Sequence, residues 1–91
     1  MLVQEHFSRI KKVYGTHAVT TTSINRETPG ESVSIHVVSG TVWVNPHEEA
    51  ATNNDSVQLN AGMALDLSVD NVLSYVSDGS GAEVQVITWQ L

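Results

Sequence analysis

Short β-type runs separated by turn residues fill this chain from Ala18 onward, and they restrict its fold more than any other feature. The runs are rich in valine, isoleucine, leucine and threonine, and Pro-Gly, Asn-Asn-Asp, Ala-Gly and Asp-Gly-Ser-Gly stand between them. Turn signals at intervals of about eight to twelve residues are typical of β-sandwiches and β-barrels. The sequence therefore predicts an all-β domain of about seven antiparallel strands.

The predicted strands follow directly from these runs. They are 18–24, 33–38, 41–45, 56–60, 63–69, 72–77 and 82–91. Two short connections, Ser39-Gly40 and Ala61-Gly62, are interpreted as tight turns that join neighbouring strands. Pro29-Gly30 marks a further turn within residues 25–31, because Pro-Gly is a strong turn signal.

Alternation of apolar and polar residues indicates which side of a strand faces the core. Val33, Ile35 and Val37 fall on one face of their strand, and Ser34 and His36 fall on the other. Because side chains of a strand alternate between its two faces, the first three are expected in the core. His36 is then expected to be a surface or interface histidine rather than a metal ligand.

The last run changes its pattern part-way along the strand. Val84 and Val86 share one face, whereas Ile87, Trp89 and Leu91 place apolar side chains on the opposite face. This change predicts either a β-bulge or a strand end that is buried against a partner.

Residues 1–17 are less regular and are predicted to form an N-terminal arm or an edge element ahead of the β domain at 18–91. His6 and Ile10 follow helical spacing, but Gly15 ends the pattern. A helix this short is marginally stable on its own. We therefore favour an arm or an edge element over an independent helix.

Charge is unevenly distributed along the chain. The basic side chains all lie in the first 26 residues: Arg9, Lys11, Lys12 and Arg26. Residues 27–91 contain nine carboxylates and no Lys or Arg, and the net charge is −6. A segment with this many carboxylates repels the phosphates of nucleic acids, so nucleic acid is excluded as its partner. The basic segment predicts docking on another copy of this chain or on a larger assembly, although a solvated lead-in segment has the same composition.

The length and composition of the chain restrict its class further. At 91 residues it can form one modest core, so we expect one domain. The absence of cysteine excludes disulfides, thiolate metal sites and cysteine nucleophiles. No apolar run reaches the length of a membrane span, and residues 1–12 lack the apolar region of a signal peptide. We expect a protein with no membrane partner, made in the cytosol and kept there or built into a particle.

The histidines do not predict a metal site. The spacing of the four histidines matches neither HxH nor HExxH. One local cluster, His47-Glu48-Glu49, follows a proline on an extended loop, where adjacent side chains point in different directions. An exposed polar loop is the favoured interpretation, and no metal or cofactor is predicted.

Other catalytic patterns are also missing from the sequence. There is no G-x-S-x-G nucleophile elbow, and Asp78-Gly79-Ser80-Gly81 fits a hairpin turn better than a calcium loop. The acidic side chains are spread over turns, as expected of residues that promote solubility, although a spatial pair of carboxylates is invisible in a sequence. We therefore expect a protein that is not an enzyme.

Trp43 and Trp89 are the two largest apolar side chains in a chain with few aromatic residues. A small domain needs buried area, which favours the core for both. The alternative, suggested by their positions near strand ends, is that one of them anchors a partner interface.

From Glu31 to Trp89, the order of strands and turns resembles the core of the cupin or small jelly-roll barrel. Gly40 stands in the place of the glycine of that family's first motif, and Ala61-Gly62 is similar to its Pro-Gly-Asp turn. Where metal cupins carry HxH and a glutamate, this chain has valine, serine and threonine, and the later histidine has no counterpart in 70–79. The resemblance implies a jelly-roll or cupin-like barrel or sandwich without the metal ligands.

Three segments, VVSGTVWVN, LNAGMALDL and SDGSGAEVQVITW, are also similar to small proteins encoded near bacteriophage head genes, some of which decorate or cement capsids. This resemblance implies a structural virion protein, made in the host cytoplasm, that binds the major capsid protein on the capsid surface as a homotrimer. The alternatives are a neck or tail adaptor, a receptor-binding tip, or a cupin-type protein that binds a small molecule or a metal.

The N-terminal segment and the tryptophans are the expected points of contact with such a partner. The segment is basic and partly apolar, which suits additional contacts on an acidic shell. The candidate partner-binding residues are Phe7, Arg9, Ile10, Lys11, Lys12, Tyr14, Trp43 and Trp89.

Overall fold

The computed structural model describes residues 9–53, 55–79 and 81–90, and for Arg9 and Gln90 it describes the backbone alone. Eight antiparallel strands make up the described chain, and no helix among these residues is long and apolar enough to cross a membrane. The strands are β1 (Arg9–Val19), β2 (Ile24–Glu27), β3 (Glu31–Ser39), β4 (Thr41–Asn45), β5 (Val57–Asn60), β6 (Ala64–Val69), β7 (Val72–Ser77) and β8 (Ala82–Gln90).

The strands form two four-stranded sheets that pack as a jelly-roll sandwich. Sheet A has the order β1-β8-β3-β6, and sheet B has the order β2-β7-β4-β5. Every strand pair is antiparallel. This confirms the predicted all-β fold class, with one strand more than the seven expected.

Consecutive strands lie in different sheets, except for β4 and β5. Ser39-Gly40 therefore carries the chain from sheet A to sheet B, and Ala61-Gly62 carries it back. The prediction that these turns join neighbouring, paired strands was wrong. A turn signal indicates where the chain changes direction, but it does not indicate which strand becomes the neighbour.

Gly40 makes the crossing between the sheets possible. Its φ is 72°, in the left-handed region that favours glycine. A Cβ built on Gly40 would lie 2.7 Å from the Cα of Ala82, which is itself buried. The chain therefore needs glycine here for two reasons, the backbone conformation and the close approach of β8.

The core lies between the two sheets and is built mostly of valine. Val33, Ile35 and Val37 of β3 are fully buried, whereas His36 is exposed on the other side of the strand, as the alternation predicted. From sheet B, Leu73 and Tyr75 are also fully buried.

The N-terminal half of the fold differs from the predicted strands. The strand expected at 18–24 is wrong, because β1 ends at Val19 and β2 begins at Ile24. The turn predicted at Pro29-Gly30 is confirmed, and β2 runs to Glu27 ahead of it.

Within the described residues the proposed N-terminal segment is an edge strand. β1 pairs with β8 along sheet A, and its register shifts between Ile10 and Lys12 and again between Tyr14 and His17. Residue 17, the expected end of the segment, thus lies inside β1. The division of the chain into an arm and a β domain stays a prediction for residues 1–8, which lie outside the described part.

The bulge considered for the last strand is not in β8. Residues 84–89 of β8 pair with 32–37 of β3 without a shift. Val84, Val86 and Thr88 are buried on the core side of this strand. Ile87 and Trp89 therefore lie on the outer face of sheet A, which is the starting point for the candidate site.

Candidate functional site

The outer face of sheet A carries a strip of apolar side chains across β1 and β8. Ile10 lies opposite Trp89, and Val13 lies opposite Ile87. Directly opposed residues of an antiparallel pair share one face of the sheet. Ile10 is 55% exposed and Val13 is 49% exposed, while Ile87 and Trp89 are partly buried. We call these four residues the apolar strip.

A shallow groove continues the apolar strip towards β3 and β6. The indole Nε1–H of Trp89 donates to Ser34 Oγ at 2.8 Å, and the Ser34 hydroxyl donates to Asp66 Oδ1 at 2.6 Å. This chain of hydrogen bonds holds the Trp89 side chain to β3 and β6. The groove has a volume of about 480 Å³, and Ser32 and Ser68 also line it.

The outer face of sheet B is covered differently. The segment that follows β4 packs over it, with Ala50 buried and its backbone N–H donating to the Ser74 hydroxyl at 2.8 Å. Asn45 holds the start of this segment, since its Oδ1 accepts from the backbone N–H groups of His47 and Glu48. Sheet A has no comparable cover among the described residues.

A second group of polar side chains lies at the edge where β1 of sheet A faces β2 of sheet B. On β1, Lys12, Tyr14 and His17 lie opposite Thr88, Val86 and Val84, all three of which are buried on the core side. The same reasoning places Arg26 of β2 on the inner side of sheet B, because its partner is buried in the core.

The buried hydroxyl of Tyr75 connects both sheets through this group. The Nδ1 of His17 lies 2.7 Å from the carbonyl oxygen of Gly15, and a carbonyl only accepts, so Nδ1 carries the proton. The Tyr75 hydroxyl is hydrogen-bonded to His17 Nε2 and accepts from Arg26 Nε–H, both at 2.7 Å. The two bonds of the Tyr75 hydroxyl join β1 and β2 to β7.

Burial and the charge of Arg26 have opposite effects on the pKa of Tyr75. Burial raises the pKa of Tyr75 above its usual value of about 10, and the hydrogen bond and charge of Arg26 oppose that rise. The guanidinium carbon of Arg26 lies 3.9 Å from the centre of the Tyr14 ring, and Lys12 Nζ lies 5.0 Å from it. Two cations therefore gather on one aromatic ring.

The residues expected to bind a partner are divided among several places. Ile10 and Trp89 are together in the apolar strip, and Lys12 and Tyr14 are at the edge between the sheets. Lys11 forms an ion pair with Glu31 instead. Phe7 lies outside the described residues, and so does the side chain of Arg9.

The two tryptophans lie on opposite outer faces of the sandwich. Trp43 is paired with Gln58 and Val76 in sheet B, on the face opposite to its buried neighbours Val42 and Val44. Neither tryptophan belongs to the core cluster, and both are partly exposed. The favoured expectation of two core tryptophans was wrong, and they do not form one site.

Sequence reasoning did not identify five of the residues that form the groove and the polar group around Tyr75. Ser34, Asp66, His17, Arg26 and Tyr75 were not recognised as site residues. Arg26 and Tyr75 are 49 positions apart in the chain, and Ser34 and Trp89 are 55 apart. Alternation did place Ser34 on the face opposite the core, which is a usable signal once β3, β6 and β8 are known to be neighbours.

The cluster considered as a metal site is spread over three contacts. His47 Nδ1 lies 2.9 Å from a carboxylate oxygen of Asp70, and Glu49 accepts a hydrogen bond from Ser23. Glu48 has its backbone bound to Asn45. Within the described part of the chain, no group of three histidine or acidic side chains is arranged to hold a metal ion.

Comparison with known proteins supports the fold. No family model matches the chain, and no curated protein matches it. Among solved structures, it is similar to the EutQ protein of Clostridium difficile, a cupin-fold protein, with a TM-score of 0.56 and 9% sequence identity. The match covers 88% of this chain and 64% of the EutQ chain. At this identity the likeness establishes a shared cupin-like fold and nothing about activity.

Proposed function

We propose that this chain is a structural virion protein without catalytic activity, which binds the outside of a phage capsid and stabilises or decorates the shell. One observation carries the proposal: the apolar strip lies exposed on the outer face of sheet A. Part of the outer face of sheet B has its own cover, over Ser74.

The chemistry of that face suits protein docking. A Val or Ile side chain contributes about 1.5–3 kcal/mol when it passes from full exposure to full burial, so half-exposed Ile10 and Val13 have roughly half of that still to gain. Trp89 is held in place by Ser34 before any partner arrives, and little entropy is lost when it is covered. Rigid aromatic residues in such positions are frequent hot spots.

The proposed partner is the major capsid protein, and the proposed assembly is a homotrimer on the shell, located in the virion after synthesis in the host cytoplasm. The acidic residues 27–91 keep the outward parts of such a subunit soluble. β1 and β6 are the edge strands of sheet A, and contact with a neighbouring subunit or with the shell covers exposed edges.

A binding experiment with capsids tests the proposal. Empty capsids assembled from the major capsid protein encoded nearest to this gene are mixed with increasing amounts of the purified protein. We expect sedimentation with the capsids to saturate at a copy number fixed by the lattice. Absence of binding, or binding to purified tails or necks instead, would show that the protein is a different virion part or no virion part.

A second candidate is a cupin-type protein that binds a small molecule or a metal, and the similarity to the cupin fold of EutQ favours it. Elemental analysis of the purified protein separates the two functions for metals. Stoichiometric zinc, iron or manganese supports the second candidate and contradicts the first.

A further inference from the structure

Two cationic side chains at the edge between the sheets share one aromatic ring, and neither forms an ion pair with an acidic residue in the described part of the chain. Lys12 and Arg26 both contact the ring of Tyr14. Each of the two ion pairs found among the described residues involves other side chains, Lys11 with Glu31 and His47 with Asp70. Their charged groups lie 5.0 Å and 3.9 Å from the centre of that ring. Like charges gathered around one ring repel each other, and the negative face of the ring offsets only part of that repulsion.

Arg26 is held in one orientation before any ligand arrives. Its Nε–H is committed to the buried Tyr75 hydroxyl, and its plane is placed against Tyr14. Its Nη2 makes only a long contact of 3.5 Å, to the Nε2 of His17. The Nη groups are therefore the donors left for a further partner, and they present the fork that suits an oxygen anion.

We propose that Lys12 and Arg26 form a binding site for one oxyanion group of a small molecule, a carboxylate or a phosphate, beside Tyr14 at the edge where β1 faces β2. Arg26 donates from its Nη groups to two oxygens of the anion, and Lys12 adds a mobile ammonium. The anion removes the repulsion between the two cations. This inference does not depend on capsid binding.

The neighbouring lysines of β1 offer a matched comparison. Lys11 and Lys12 are both exposed and differ by one position, but Lys11 is already neutralised by Glu31. A change that removes one positive charge at either position alters the net charge equally. Only the change at Lys12 removes a group of the proposed site.

The test is a titration of the full chain with sodium phosphate, and separately with sodium acetate, against sodium chloride at equal ionic strength. Amide and Arg26 Nε–H signals are followed by two-dimensional NMR. We expect saturable shifts at Lys12, Tyr14 and Arg26, with a dissociation constant on the order of 1 mM for so few contacts. The anion that binds more tightly identifies the ligand as a phosphate or a carboxylate.

Variants decide whether the shifts report this site. Lys12→Gln is expected to weaken binding at least fivefold, and Lys11→Gln less than twofold. Arg26→Lys keeps the charge and loses the fork, so it is expected to weaken binding as well, and its NMR spectrum shows directly whether the fold is retained. Equal weakening by Lys11→Gln and Lys12→Gln overturns the proposal, as does the absence of saturable shifts with both anions.

Discussion

At the scale of single residues, Gly40 shows how a turn and a close packing contact depend on the same position. An alanine there is strained by the positive φ and overlaps the backbone of Ala82. We expect Gly40→Ala to lower the free energy of unfolding by roughly 2–4 kcal/mol, measured by urea denaturation.

Gly62 provides the control for that change. Its φ is 87°, but no atom lies within 4 Å of a Cβ built on it. Gly62→Ala therefore carries the conformational cost alone, about 1 kcal/mol. Equal losses in the two variants would show that the contact with Ala82 contributes nothing.

Ionisation of Tyr75 makes the free energy of unfolding depend on pH in the alkaline range. Because burial raises its pKa, the folded protein keeps the phenolic proton at a pH where the unfolded chain has lost it. The stabilisation from this group is complete below about pH 10 and declines as pH rises through the higher pKa of the folded state.

Tyr75→Phe tests this linkage. The free energy of unfolding is measured in urea between about pH 8 and about pH 11. We expect a loss of about 1–3 kcal/mol at the lower pH, because His17 and Arg26 lose their partner. We also expect a shallower decline at higher pH than in the wild type. A parallel decline in both proteins would contradict a titrating Tyr75.

At the scale of elements, the segment between β4 and β5 depends on one buried side chain. Asn45 accepts from two backbone N–H groups through Oδ1, and its Nδ2 donates to the carbonyl oxygen of Asp55. We expect Asn45→Ala to cost about 2–3 kcal/mol of unfolding free energy, and Asn45→Asp, which keeps the acceptor, to cost less. Faster hydrogen exchange at His47 and Glu48 in the alanine variant is the direct readout.

The elements also show where sequence patterns succeed and fail. The runs at 33–38, 41–45 and 72–77 alternate or stay apolar, and all three became strands. For β1 the sequence predicted only an arm or an edge element, because its two register shifts break the period of two that identifies a strand. The placement of consecutive strands in different sheets was not predictable either, because it depends on which buried faces pack together in the folded protein.

The candidate sites were less predictable than the strands for a related reason. The hydrogen bonds of the Tyr75 hydroxyl connect His17, Arg26 and Tyr75, which belong to three strands that are neighbours only in the folded jelly roll. No local motif connects them. The prediction that basic residues near the N-terminus have a special role remains untested, but the structure places Lys12 and Arg26 together at one edge.

At the scale of the whole molecule, the two faces of the sandwich differ. The face of sheet B is covered by the segment that includes Ala50, whereas sheet A presents Ile10 and Val13 to solvent. The proposed docking on a capsid depends on that difference. A substitution on the open face should therefore affect binding more than an equivalent one elsewhere.

Val13 and Val57 allow the most direct measurement of this claim, since they are 49% and 47% exposed and lie in different sheets. Saturation binding to empty capsids is measured for Val13→Asp and Val57→Asp, after urea denaturation has shown that both are folded. We expect Val13→Asp to weaken binding at least about tenfold and Val57→Asp to leave it within about twofold. Undiminished binding of Val13→Asp, or an equal loss in both variants, would contradict docking through the outer face of sheet A.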